Sequence, residues 1–158
     1  MTIFAVRGLR VVLAVLLLIS VLVQVALPGW ASAFATSSPE VTHLVVPYSL
    51  AAILFIGCGE VVLLAVWRLL SFVRSGAIFS ARAVGWVDLI IGSAVVAIAL
   101  TVTVVVSMIG MIPGGPGPTI YLLAAVVAAG VAFTLLMIVM RTLLVSAVAD
   151  RTELDGVV

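Results

Sequence analysis

The sequence predicts an all-α integral membrane protein: four transmembrane helices in an up-down antiparallel bundle, with both termini cytoplasmic. Three observations carry this. First, 66% of the 158 residues are apolar and only 8% are charged, against about 45–50% and about 25% in soluble domains. A water-soluble chain of this length could not hide so much apolar surface, so lipid must be its solvent. Second, no charge interrupts Val11 to Pro39 or Leu89 to Met140, and a helix crosses hydrocarbon with about 20 apolar residues. Third, all seven basic residues are arginines, and they fall at alternate junctions. Arg7 and Arg10 precede the first apolar run, Arg68, Arg74 and Arg82 separate the second from the third, and Arg141 and Arg151 follow the fourth. The remaining loops, around 28–46 and 113–118, carry neither Arg nor Lys. Short Arg-rich loops stay in the cytoplasm, which places the chain in the inner (plasma) membrane of a cell as a multi-pass protein.

The spans expected are 9–28, 46–69, 86–112 and 119–141, forming one domain over 1–158 with a short cytoplasmic tail at 142–158. Pro113-Gly114-Gly115-Pro116-Gly117-Pro118 splits the long charge-free stretch, because such a run cannot continue a helix. A β-barrel is excluded: these segments are apolar on every face, without the alternation a barrel wall requires. Aromatic residues check the register. Trp30, Tyr48 and Tyr121 fall at the outer boundary and Trp67 and Trp86 at the inner one, where amphipathic rings prefer to lie.

The first 35 residues have a rival reading. Arg7, Arg10, an apolar core and Ala31-Ser32-Ala33 also resemble a secretory signal with its cleavage site. The run from Val11 to Leu27 is longer than the ~7–15 residues of a signal core, so a retained first helix is expected. Ser38-Pro39-Glu40 reads as N-cap, N1 proline and acidic first turn of the second helix. Pro47 should then remove one hydrogen bond, at the His43 carbonyl, and kink that helix. Ser80 is the expected N-cap of the third helix, with Phe79 and Val84 forming a hydrophobic staple and Gly76 supplying the turn.

Glu60 is the residue that most needs explaining. It lies eight positions before Arg68, hence about 12 Å inside the boundary at helical rise, where an acidic side chain costs about 2.5–3.5 kcal/mol to insert. It must face neighbouring helices and be protonated or paired. The same depth in the other helices selects Ser20, Ser93 and Thr134, giving a candidate intramembrane polar cluster of Glu60, Ser20, Ser93 and Thr134. Its plainest role is a neutral hydrogen-bonded tie; its sharper one is a proton- or ligand-binding group. Arg141, near a helix end, should snorkel to the headgroups. Asp88, beside Trp86, is expected to pair with Arg82 or Arg74. Small residues at four-residue spacing, Ser93 and Ala97 in the third span and Ala124, Ala128 and Ala132 in the fourth, predict close intramolecular packing, with oligomer contacts the alternative. In the tail, Leu144, Val148 and Leu154 share one face opposite Asp150, Glu153 and Asp155, the pattern of an amphipathic extension.

Several classes of function find no support. One cysteine, Cys58, and one histidine, His43, allow neither an internal disulfide nor a protein-only zinc site. The arginines follow topology and form no basic face, so direct nucleic-acid binding is not expected. No nucleophile–base pair or phosphate-cradling loop is present. The chain is therefore read as a non-enzyme with no cofactor and no metal.

The turn Phe72-Val73-Arg74-Ser75-Gly76-Ala77-Ile78-Phe79-Ser80 has the F-x-x-x-G-x-I/P-F-S/T form, with Phe72, Gly76, Phe79 and Ser80 as its marked positions. In a four-span chain it resembles the bacterial membrane proteins of domain-of-unknown-function family 2975. The likeness extends over essentially the whole chain, to the tail Glu153-Leu154-Asp155-Gly156-Val157-Val158. Members often carry an Asn and a basic residue soon after the turn, where this chain has Ala83 and Val84. The resemblance implies a small four-helix membrane protein of unestablished function, encoded near small helix-turn-helix regulators. The expected role is a regulatory or anchoring partner acting through the cytoplasmic turn and tail, with the lipid bilayer, a cytoplasmic or membrane protein, or a second copy of itself as partners. The alternative is a small transporter or channel subunit using Glu60.

Overall fold

The computed structural model describes residues 3–37, 42–75, 81–111 and 117–155. They form four helices: α1 (Ile3–Ser37), α2 (Thr42–Ser75), α3 (Ala81–Met111) and α4 (Thr119–Asp155). Each contains a segment long and apolar enough to cross a membrane: Arg7–Ala33, Thr42–Phe72, Ala83–Gly110 and Thr119–Ala149. Even α3, the shortest at 31 residues, is roughly 46 Å long at ~1.5 Å per residue, more than the ~30 Å of hydrocarbon. Large apolar side chains point outward along all four helices; Val25 is 75% exposed and Leu122 67%. Water would not tolerate that surface, and lipid would.

The helices run further than the expected spans. Pro28 lies inside α1 and Pro47 inside α2, because a proline deletes one backbone bond without obliging the helix to stop. Beyond Pro28, Ser32 donates to the Gly29 carbonyl at 2.8 Å and Thr36 to that of Ala33 at 2.7 Å. The hydroxyls that looked like loop chemistry thus bond back into their own helix. Ser38-Pro39-Glu40, Gly76, Phe79, Ser80 and Pro113 to Pro116 lie outside the described residues. Gly117 adopts φ +58°, a conformation suited to glycine. It is followed by Pro118, with Ile120 N–H donating to the Gly117 carbonyl at 3.4 Å, and α4 then begins.

Packing follows chain order. α1 meets α2, α2 meets α3 and α3 meets α4, and among the described residues α1 touches neither α3 nor α4. The described helices thus form an open row rather than a ring in which the first and last close on each other. Each pair is antiparallel: Arg10 and Ser20 face Ser71 and Glu60, Arg68 and Tyr48 face Trp86 and Ser107, and Asp88 pairs with Arg141. From Arg10 to Ala31 the shielded positions on α1 are Arg10, Leu13, Leu17, Ser20, Gln24, Leu27 and Ala31, alternating three and four apart. That single seam, at a 3.5-residue period, suits one neighbour crossing at a shallow angle. The best-buried apolar side chains, Leu13, Ala65, Leu70, Ala83, Val87 and Ile90, concentrate toward the arginine-bearing end. Toward the other end α2, α3 and α4 line an apolar cavity of about 420 Å³, with Tyr48, Phe55, Thr101, Met108 and Val126 among its walls.

The alanine stripe of α4 does not pack as expected. Ala124, Ala128 and Ala132 are exposed, while Val127, Gly130, Thr134 and Met137 are shielded. With α3 its only neighbour among the described residues, α4 buries one seam, and that seam passes through Gly130. A Cβ there would lie 2.9 Å from Ile98 Cγ1, so the close approach of α3 and α4 depends on this glycine.

Candidate functional site

Two polar side chains of α1 cross to α2 within the span. Ser20 Oγ lies 3.0 Å from Glu60 Oε1 and 2.9 Å from the Leu17 carbonyl. One turn further along, Gln24 Nε2 donates to the Ile53 carbonyl at 3.3 Å. A hydroxyl has a single proton, so Ser20 shares it between the two oxygens in a three-centre arrangement. Glu60 is half-buried, and its neighbours Cys58, Gly59 and Val62 turn instead toward a cavity between α2, α3 and α4.

Of the residues singled out at one depth, the structure brings Ser20 and Glu60 together and leaves Ser93 and Thr134 apart. Ser93 donates to the Ile90 carbonyl at 2.9 Å and Thr134 to that of Gly130 at 2.8 Å. Thr134 is buried, and Ser93 lines the cavity on the α3–α4 side of α2. Gln24 was not marked by the sequence reading. Its signal was present: a carboxamide four residues after Ser20 in an otherwise apolar run, on the same helix face.

At the arginine-bearing end, Arg10 Nη2 donates to Ser71 Oγ at 3.3 Å, and Ser71 donates to the Trp67 carbonyl at 3.2 Å. Arg10 Nε is buried without an acceptor. Arg68 stacks over Trp86, 5.9 Å from the ring centroid, a cation–π distance. Asp88 pairs with Arg141 through both carboxylate oxygens, Nη2 to Oδ2 being 3.3 Å. This corrects one expectation: Asp88 joins α3 to α4 through Arg141 rather than pairing locally with Arg82 or Arg74. An antiparallel neighbour offers a bidentate partner, which a carboxylate prefers for geometric reasons. At the opposite end Tyr48 and Ser107 hydroxyls are 3.1 Å apart, tying α2 to α3.

Of the turn residues, Phe72 ends α2 half-buried, while Gly76, Phe79 and Ser80 lie outside the described residues. In the tail α4 stays helical to Asp155; Leu144 and Val148 are half-buried on its inner face, and the side chain of Leu154 lies outside the described residues. Cys58 is a free thiol, His43 is exposed in α2, and no three His, Cys, Asp or Glu are grouped for a metal among the described residues.

These features define a class: an all-helical chain with four helices fit to cross a membrane, tied pairwise by sparse polar contacts and carrying its arginines at one end. The chain belongs to the family described as protein of unknown function DUF2975, whose model matches residues 29–158. The match begins at Gly29, so most of α1, with Ser20 and Gln24, precedes it; the resemblance had suggested nearly the whole chain. No curated protein and no solved structure matches the chain.

Proposed function

We propose that this is an integral protein of the bacterial plasma membrane, with both termini in the cytoplasm, acting without catalysis as a regulatory or anchoring partner. The observation that carries this reading is the length of α4. It remains helical for 14 residues past Arg141, to Asp155, so about 21 Å of helix projects beyond the Asp88–Arg141 pair. The arm joins an apolar strip, Leu144 and Val148, to a sequence bearing Asp150, Glu153 and Asp155, a pattern suited to docking on another protein. Together with the turn at Phe72 to Ser80 it forms the cytoplasmic surface on which a partner would act. The test is affinity capture of the tagged full-length protein from solubilised membranes. A partner should co-purify stoichiometrically and be lost on deleting residues 142–158; capture that survives the deletion overturns the role of the tail.

The contact between Ser20 and Glu60 favours a second reading, a small transporter or channel subunit using Glu60. Four helices in one copy rarely enclose a water path, so transport would require a homo-oligomer. Reconstituted liposomes would then show pH-dependent flux that Glu60→Gln abolishes; tight vesicles with either protein exclude it.

A further inference from the structure

We propose that Arg10, with Arg7 one turn before it and Ser71 across the α1–α2 seam, seats the phosphate of an anionic phospholipid. The guanidinium of Arg10 is half-buried between two helices, held by one hydrogen bond to Ser71, and its Nε has no acceptor. A partly buried cation of this kind is favoured by a nearby counter-charge. The chain does not provide one among the described side chains: the two carboxyl groups there are Glu60, bonded to Ser20, and Asp88, paired with Arg141. Arg68 is occupied on Trp86. Arg7 is exposed three residues before Arg10, hence on the same helix face, and adds a second cation beside it.

A phosphate diester fits this pair of guanidinium groups by its chemistry. Its charged oxygens can accept from the outer guanidinium nitrogens of Arg10 and from Arg7, and basic pockets between membrane helices recognise anionic headgroups by such contacts. The site lies on α2 between Trp67 and the end of the helix, at the level where Arg68 meets Trp86, which is headgroup depth. Along α1, Leu9, Val12 and Leu16 are exposed beside the seam, offering acyl chains an apolar wall directly beneath the phosphate. A free phosphate ion would gain the first contact and not the second.

The proposal rests on the membrane reading, and the experiment separates the two. The delipidated full-length protein is titrated with phosphatidylglycerol or phosphatidylcholine, and bound lipid is counted by native mass spectrometry. Phosphatidylglycerol should bind about tenfold more tightly than phosphatidylcholine, the order expected for a charge-assisted contact. Arg10→Gln should remove the preference, Arg10→Lys should keep part of it, and Arg68→Gln should leave it intact. Equal binding of the two lipids, a preference that survives Arg10→Gln, or full competition by millimolar inorganic phosphate would each overturn the proposal. Helical content by circular dichroism identifies a variant that has unfolded, and Arg10→Lys then decides the matter. A protein that stays soluble without detergent or lipid overturns the membrane reading itself.

Discussion

Removing the Ser20 hydroxyl and the Glu60 carboxyl, singly and together, should show that the two groups stabilise the fold through each other. The bond spans 3.0 Å between α1 and α2. Interhelical hydrogen bonds in membranes average about 0.6 kcal/mol and reach about 1.7. Ser20→Ala is expected to cost about 1 kcal/mol, because it leaves a mid-span carboxyl without a protein partner. Glu60→Ala loses the same bond and also sheds a group costing about 2.5–3.5 kcal/mol to insert, so its own sign is not diagnostic. The coupling between the two substitutions is the diagnostic quantity. A double-mutant cycle in mixed micelles, with unfolding by SDS followed by circular dichroism, should return about 0.6–1.7 kcal/mol. Glu60→Gln should fold and accumulate normally, since its carboxamide can donate to Ser20 while Ser20 donates to Leu17. A coupling near zero, or a Glu60→Gln protein that fails to insert, would refute the reasoning.

Two further outcomes follow from the same contacts. Gly130→Leu should loosen the α3–α4 pair by about 1–3 kcal/mol through overpacking against Ile98. Gly130→Ala should be milder, because the gain in helix propensity, about 1 kcal/mol in soluble hosts, offsets part of the clash; adding Ile98→Ala to Gly130→Leu should recover stability in the same SDS assay. Asp88→Asn should lower the thermal midpoint modestly and abolish its dependence on salt, since the pair is 42% and 47% exposed on its two sides and open to screening. A midpoint whose salt dependence is unchanged in Asp88→Asn would show that the ion pair contributes nothing measurable.

What could be read from the sequence, and what could not, divides along depth and rotation. Depth along a helix follows from a fixed rise, which is why counting inward from the arginines placed Ser20 opposite Glu60. Rotation about the axis follows from which neighbours a helix has. Ser93 and Thr134 lie at a similar sequence depth, yet they belong to the α3–α4 side of an open row and never reach the α1–α2 seam. The same cause turned Ala124, Ala128 and Ala132 outward, because small residues mark a face that can pack closely without saying that a neighbour is there. Asp88 found Arg141 across a helix pair, 53 residues away, whereas the sequence offered nearer arginines. Pro28 looked like a terminus because local chemistry marks helix ends; the alanine-rich segment after it remains helical with one backbone bond fewer. Gln24 carries no charge to mark it in the sequence, although a carboxamide in hydrocarbon needs a partner for the same reason.

The account stands on the arginines sharing one side of the membrane, and single cysteines test it most directly. In a Cys58→Ala background, Gly76→Cys and Gly115→Cys are each exposed to a membrane-impermeant maleimide on intact cells. The account predicts labelling at position 115 from outside, and labelling at position 76 only after the cells are opened. Labelling of position 76 in intact cells, with position 115 protected, would contradict it.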